Sequence, residues 1–145
     1  MREEGVCPCE KYPEIKNVMA AIKTKCADAS HENTSFGSTI YAVKPGDGSA
    51  REQAASCQKV LGGWANIANE YATKRYRSNL INWGMLPFIY KDGDKNLPFA
   101  NDDYVFVPNV KKMITDKLST TKAYAIKKDG TITEIRTFME RHPEC

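Results

Sequence analysis

The sequence lacks the features of a membrane or secreted protein. Its longest apolar stretches, such as residues 85–90, are far too short to cross a bilayer, and its amino-terminal residues are charged rather than signal-like. It also lacks a strong charge of either sign, with 21 Lys and Arg against 18 Asp and Glu. We therefore expect a soluble, cytoplasmic protein with no membrane partner. The balanced charge argues against nucleic acid and is compatible with small anions.

The cysteines do not follow the pattern of a disulfide scaffold. There are five of them in 145 residues, an odd number that favours reduced thiols in a reducing compartment. Cys7 and Cys9 are closely spaced, but no second pair stands at a metal-site spacing, and His31 and His142 do not supply one. We interpret the pair as part of a terminal segment and predict no metal site in this chain.

Length and composition fit one α/β domain. A chain of 145 residues with 41% hydrophobic content can bury a substantial core. Apolar residues recur at helical spacing from Pro13 to about Ala27, which predicts a helix. The β-branched and aromatic residues of "STIYAVK" predict a strand over 38–44, and Pro45 ends it because proline cannot donate to a ladder.

The residues that follow, "KPGDGSAREQAA", have the features of a helix start. Gly46 and Gly48 permit a sharp turn that exposes backbone amides. Ser49 and Glu52 have the spacing of a capping box, so Ser49 is predicted to be the N-cap of a helix over 50–60.

The same turn also has the features of an anion site. Backbone amides gather at the positive end of a helix dipole, and Arg51 can hold a carboxylate through two hydrogen bonds. A P-loop is excluded because no Gly-Lys-Ser or Gly-Lys-Thr follows the glycines. A dinucleotide fingerprint is disfavoured because Arg51 stands where its third glycine would be.

Further elements follow in the order expected of a parallel βαβ unit. "LGGWANIANEYA" predicts a strand from about Trp64, and "TKRYRSNLINWG" predicts a short helix with Leu80 and Ile81 on its buried side, stopped by Gly84. Another strand is predicted over 86–90.

The helix over "TKRYRSNLINWG" carries the basic cluster Lys74, Arg75 and Arg77. We interpret the cluster as a solvated helix face, because one short cluster on a nearly neutral chain is a small footprint for nucleic acid.

Two of these segments together resemble the aconitase superfamily. "GDGSAREQAA" is similar to its Gly-x-Gly-Ser-Ser-Arg-Glu-x-Ala-Ala motif, and "RYRSNLINWGMLPF" is similar to its Arg-Ser-Asn-Leu-x-x-x-Gly-x-Leu-Pro segment, with "LGG" between them at the expected distance. The resemblance is clear over about 40–88 and weaker in "AYAIKKDGTITEIRTFMERH". It implies a single swivelling β/β/α domain over 1–145, with a mixed sheet and flanking helices, in which 1–39 is an unassigned extension.

The resemblance also implies an activity, the reversible dehydration and hydration of a hydroxy-carboxylic acid by a lyase. It implies that Ser49 is the catalytic base, which removes the proton next to a carboxylate as an alkoxide. It places Arg51 on the substrate carboxylate, with Gly48 and Ala50 beside it in the substrate site.

The chain departs from the family pattern at three points. Ala50 replaces the second serine of the motif, so citrate is not assumed to be the substrate. The segment "SHENTSFGSTIYAVK" contains no arginine for the upstream substrate-binding role. The family's 4Fe–4S cluster is held by three cysteines of other domains, a distant Cys and a Cys-x-x-Cys pair, and this pattern is missing here.

We therefore expect the chain to be inactive by itself and to need cluster-bearing aconitase domains or a large subunit. It is either the swivel-domain fragment of a longer hydratase or a separate small subunit. The long matching segment favours the fragment, because it resembles the swivel domain of aconitases, where this domain is fused to the others. The alternative from another class is a non-catalytic binding or regulatory module on the same fold. RNA is one ligand for such a module, through the basic cluster with Tyr71 and Tyr76 nearby.

Overall fold

The computed structural model describes residues 12–30, 33–91, 97–117 and 119–139. Cys7, Cys9, His31, His142 and Cys145 lie outside these ranges. The helices are α1 (Ile15–Lys25), α2 (Arg51–Val60), α3 (Lys74–Asn82) and α4 (Val110–Thr115). The strands are β1 (Ser38–Ala42), β2 (Gly63–Ala68), β3 (Leu86–Ile89), β4 (Tyr104–Phe106), β5 (Thr120–Ile126) and β6 (Ile132–Phe138).

The strands form one mixed six-stranded sheet in the order β1-β2-β3-β6-β5-β4. The first three strands are parallel, and the helices α2 and α3 connect them as crossovers. The last three are antiparallel neighbours. The two halves meet where Ile89 of β3 pairs with Phe138 of β6. The predicted α/β class, the mixed sheet with flanking helices and the parallel βαβ unit are confirmed.

Helix α1 packs against the antiparallel half of the sheet. The helical spacing of its apolar residues puts Ile15, Val18, Met19 and Ile22 on one buried face, in a cluster with Ile126 of β5. The predicted helix from Pro13 to Ala27 is thus confirmed. The same cluster includes partly buried aromatic side chains from 36 and from β4 and β5.

Helices α2 and α3 pack together beside the parallel half. Ala55 of α2 is buried against Leu80 of α3 and Met85, in a cluster that also contains Tyr76. The prediction that Ile81 shares this buried face is wrong, because its side chain is 53% exposed. Successive residues of a helix point about 100° apart, so the face that buries Leu80 turns its neighbour towards solvent. The helix ends where predicted, at Gly84, whose φ of 70° suits a glycine.

No helix among the described residues is long and apolar enough to cross a bilayer.

Candidate functional site

The turn between β1 and α2 lies at the carboxyl edge of the parallel strands, where α/β sheets commonly bind ligands. It runs beside the connection from β2 to α3. The amide of Glu70 donates to the carbonyl of Val43 at 3.0 Å, and that of Ala72 donates to the carbonyl of Pro45 at 2.9 Å. These two bonds hold the turn against the neighbouring connection.

Gly46 is the point at which the turn changes direction. Its φ is 99°, a backbone conformation that favours glycine. Its carbonyl oxygen accepts two hydrogen bonds, from Arg51 Nε at 3.2 Å and from the hydroxyl of Thr73 at 3.1 Å. The side chain of Tyr76 packs against Gly46, and a Cβ on Gly46 would lie only 2.5 Å from Tyr76 Cγ. The Gly46 turn is therefore held both by Arg51 from the segment "GDGSAREQAA" and by Thr73 and Tyr76 at the start of α3.

An open surface cavity of about 330 Å³ lies beside this turn. It is lined by Gly46, Gly48, Ser49, Ala50, Arg51, Ala54 and Tyr76. All four residues predicted for the site, at positions 48 to 51, thus border the same cavity.

Ser49 does not cap α2. The N-cap is Ala50, and α2 begins at Arg51, so Ser49 lies one residue before the cap. The predicted capping box is wrong, because Glu52 then occupies the second helical position rather than the third. The backbone of Ala50, with φ −89° and ψ 54°, sets this later start. The side chain of Ser49 is exposed and has no hydrogen-bond partner among the described residues.

Arg51 is half-buried and points towards the turn. Its Nε is used by the Gly46 carbonyl, and its two Nη groups have no partner among the described residues. A guanidinium held by Nε keeps its outer N–H groups for a planar anion, and a carboxylate accepts two such bonds in parallel. The arrangement suits a carboxylate in the cavity.

Gly48 and Ala50 are both exposed at the mouth of the cavity. Gly48 does not adopt a positive φ, and a Cβ placed on it would meet nothing within 4 Å. Both glycines permit such a turn, but only Gly46 adopts a backbone conformation that favours glycine. Ala50 contributes a methyl group where the family motif has a hydroxyl.

The prediction that the basic cluster on α3 is a solvated helix face holds for only two of its three residues. Lys74 and Arg75 are exposed, but Arg77 is only 5% exposed. Arg77 lies three positions before Leu80, so the two side chains share the buried side of α3. The exposed part of the cluster is thus two adjacent cations, a smaller footprint for nucleic acid than the sequence indicates.

A comparison with protein-family models matches residues 10–93 to the aconitase C-terminal domain. The match covers more than half of the chain and includes both sequence motifs, the turn and the cavity. The chain belongs to the aconitase C-terminal domain family. The fold predicted from the motifs, the swivel domain of the aconitase superfamily, is thus confirmed. No curated protein matches the sequence.

A buried polar network lies behind the aconitase-type turn. Asn66 of β2 accepts a hydrogen bond at Oδ1 from the side-chain amide of Gln58, and its own Nδ2 donates to the Tyr76 hydroxyl at 3.1 Å. The hydroxyl of Tyr71 is shared between the carbonyls of Asn66 and Phe88, at 3.2 and 3.1 Å. Burial raises the pKa of both tyrosines, and the raise for Tyr71 is large. These phenols remain neutral and structural at physiological pH.

The described residues do not fit an iron–sulfur cluster. They contain no group of three or more His, Cys, Asp or Glu side chains placed to hold a metal. Cys26 is half-buried and Cys57 is exposed on α2.

Sequence reasoning missed Thr73 and Tyr76 as parts of the site. Thr73 is the N-cap of α3, and its hydroxyl accepts from the Tyr76 amide at 3.2 Å. The signal available in the sequence was a threonine directly before a helical segment. Its second bond, to Gly46, joins residues 27 positions apart and depends on β1 and β2 being neighbours.

Proposed function

We propose that this chain is the swivel domain of an aconitase-like hydratase that acts on a hydroxy-carboxylic acid. It supplies the serine base and a carboxylate-binding arginine. The observation that carries the proposal is the Gly46 turn, which leaves the Ser49 hydroxyl without a partner and holds Arg51 by Nε at the edge of one cavity. Membership of the aconitase C-terminal domain family supports the reaction class.

Ser49 is the proposed base. In the dehydration direction its alkoxide takes the proton from the carbon next to a substrate carboxylate, and the hydroxyl on the neighbouring carbon leaves as the double bond forms. A serine hydroxyl is a weak acid, so the alkoxide needs stabilisation. The free amides at the start of α2 and the positive end of its dipole lie directly after Ser49 and favour a negative oxygen.

Arg51 is the proposed carboxylate-binding residue. As the proton leaves, negative charge spreads onto the adjacent carboxylate, and a guanidinium paired with that carboxylate stabilises it. Lysine at this position would supply charge but not the parallel pair of hydrogen bonds.

Ala50 and Ala54 add apolar surface to the cavity wall. We leave the substrate as a hydroxy-carboxylic acid, because the missing hydroxyl at Ala50 removes one substrate contact of the family motif.

The proposed reaction requires partner domains. The 4Fe–4S cluster of the family, when bound to its own domains, supplies a Lewis acid for the departing hydroxyl. Because the described residues do not fit that cluster, we assign it to other aconitase domains, fused to this one or forming a large subunit, with the fused arrangement favoured.

The test is reconstitution with cluster-bearing aconitase domains, mixed or fused, followed by an assay of alkene formation from a panel of hydroxy acids. Ser49→Ala should lower kcat by roughly 10³-fold with little change in KM, because a general base acts in the transition state. Ser56→Ala is the matched control, since it removes a serine hydroxyl from exposed surface of α2, bonded only to the Gln53 carbonyl. Arg51→Lys should raise KM as well as lower kcat.

Near-normal turnover of Ser49→Ala in an active assembly would show that Ser49 is not the base. An assembly that contains intact cluster domains and acts on no hydroxy acid would instead favour the non-catalytic module.

A further inference from the structure

We propose that Thr73 is a positioning residue for Arg51, acting through the carbonyl of Gly46. The hydrogen-bond geometry stands by itself, while its importance for catalysis rests on the function proposed above. The two bonds to Gly46 join the two family-like segments of the sequence, because Thr73 is the N-cap of α3 and Arg51 is the first residue of α2.

The hydroxyl of Thr73 has one proton, and the geometry assigns it to Gly46. The Tyr76 amide donates to Thr73 Oγ1 at 3.2 Å, so the hydroxyl acts as acceptor in that bond. Its own proton is then available to the Gly46 carbonyl, 3.1 Å away. The cap of α3 therefore fixes the direction in which the hydroxyl donates.

The Gly46 carbonyl passes this constraint to Arg51. A carbonyl oxygen has two lone pairs, and here one accepts from Thr73 and the other from Arg51 Nε at 3.2 Å. With the carbonyl held in one direction, the guanidinium plane has a defined orientation beside the cavity. Loss of the Thr73 bond leaves the carbonyl free to tilt and loosens the Arg51 bond with it.

The rest of the turn does not depend on Thr73. The Ala72 amide still donates to the Pro45 carbonyl, and the Tyr76 ring still packs over Gly46. Variants at Thr73 are therefore expected to fold, and the effect on Arg51 can be measured separately from stability.

The experiment uses the full chain labelled with ¹⁵N and measures hydrogen exchange of the Arg51 Nε–H group by NMR. Thr73→Ala removes the hydroxyl, and Thr73→Gly does so while keeping a residue that caps helices nearly as well. Both should accelerate exchange by about five-fold, the effect of weakening one ordinary hydrogen bond. Thr73→Ser should restore exchange to within about two-fold of the original chain.

Ser78→Ala is the matched control, because it removes a hydroxyl bond to the Lys74 carbonyl on the same helix, away from the turn. It should leave Arg51 exchange unchanged. Unchanged exchange in both folded Thr73→Ala and Thr73→Gly would overturn the proposal, as would an equal acceleration in Ser78→Ala.

A second readout addresses catalysis in the reconstituted hydratase. Thr73→Ala should raise KM by about five-fold with a smaller change in kcat, and Thr73→Ser should rescue it. If exchange responds to Thr73 but no assembly is active, the positioning role stands and the proposed function fails. If the assembly is active and Arg51→Lys impairs it while Thr73→Ala affects neither KM nor exchange, the positioning role fails and the proposed function stands.

Discussion

Replacing Gly46 with alanine should be among the most destabilising single changes in the described part of the domain. Two costs add at this position. The first is backbone strain, since φ is 99° and such conformations cost a non-glycine residue roughly 1–3 kcal/mol. The second is steric, because the new Cβ would lie 2.5 and 2.6 Å from Cγ and Cβ of Tyr76. Overpacking of this kind costs a further 1–3 kcal/mol or so.

The ring of Tyr76 cannot move away without loss. Its hydroxyl accepts from Asn66 at 3.1 Å in the buried network, and its ring belongs to the cluster with Leu80 and Met85. We therefore expect Gly46→Ala to lower the free energy of unfolding by about 2–6 kcal/mol, a large part of the roughly 5–15 kcal/mol typical of a domain.

The measurement is urea unfolding of the isolated chain followed by far-ultraviolet circular dichroism. Gly48→Ala is the matched control two residues away, because its Cβ meets nothing within 4 Å and its φ is not positive; it should change the free energy of unfolding by less than about 0.5 kcal/mol. In a Tyr76→Ala background the cost of Gly46→Ala should fall, because the ring atoms are gone, but not to the strain alone, because the Cβ of residue 76 still lies 2.6 Å from the new Cβ. Equal stability of Gly46→Ala and Gly48→Ala would refute the reasoning.

Three further predictions concern other parts of the molecule. Ser49→Ala should change the free energy of unfolding by less than about 0.5 kcal/mol, because Ser49 caps no helix, and Ser56→Ala should do the same. A loss of about 1 kcal/mol or more for Ser49→Ala would show that Ser49 does cap α2. The raised pKa of Tyr71 means that stability is fully present below pH 10 and falls as pH rises above it, because unfolding releases a phenol that ionises more easily. Tyr71→Phe should make that alkaline loss shallower in urea unfolding at pH 9 to 11, and an unchanged slope would contradict the assignment. The isolated chain should be colourless and inactive on hydroxy acids, and a stoichiometric iron–sulfur absorption band would show otherwise, with Cys7 and Cys9 the first ligands to test.

The parallel half of the fold was predictable from the sequence, because its elements are bounded by strong local signals. Gly84 follows the end of α3 where expected, whereas β1 ends at Ala42, before the predicted stop at Pro45. Apolar spacing also identifies α1, which packs on the other half of the sheet. The antiparallel half was predicted only through a weak resemblance. Its elements include a three-residue strand and a six-residue helix, which are too short for periodicity to identify.

The site was predictable where its residues are adjacent in the chain and not where they come together through the sheet. Ser49 and Arg51 border one cavity because they are two positions apart at a helix start. The capping box failed because Ala50 rather than Ser49 is the N-cap, a shift of one residue that sequence spacing does not reveal. Thr73 and Tyr76 come to the turn through the pairing of β1 with β2, which local spacing does not reveal either.

The pairing of Ile89 with Phe138 affects how the turn at Gly46 is protected from hydrogen exchange. Each half of the sheet is built from one contiguous segment of chain, 38–89 and 104–138. Among the described residues, β3 and β6 join the halves through one residue pair. The halves share an apolar core that includes Phe88 and Ile135, so side-chain packing holds them together more than backbone bonding does. Contiguous segments of this kind open as separate cooperative units. Native-state amide exchange should therefore resolve two groups of protected amides, and the turn at Gly46, which belongs wholly to the first segment, should keep its protection during opening events that release β4 and β5.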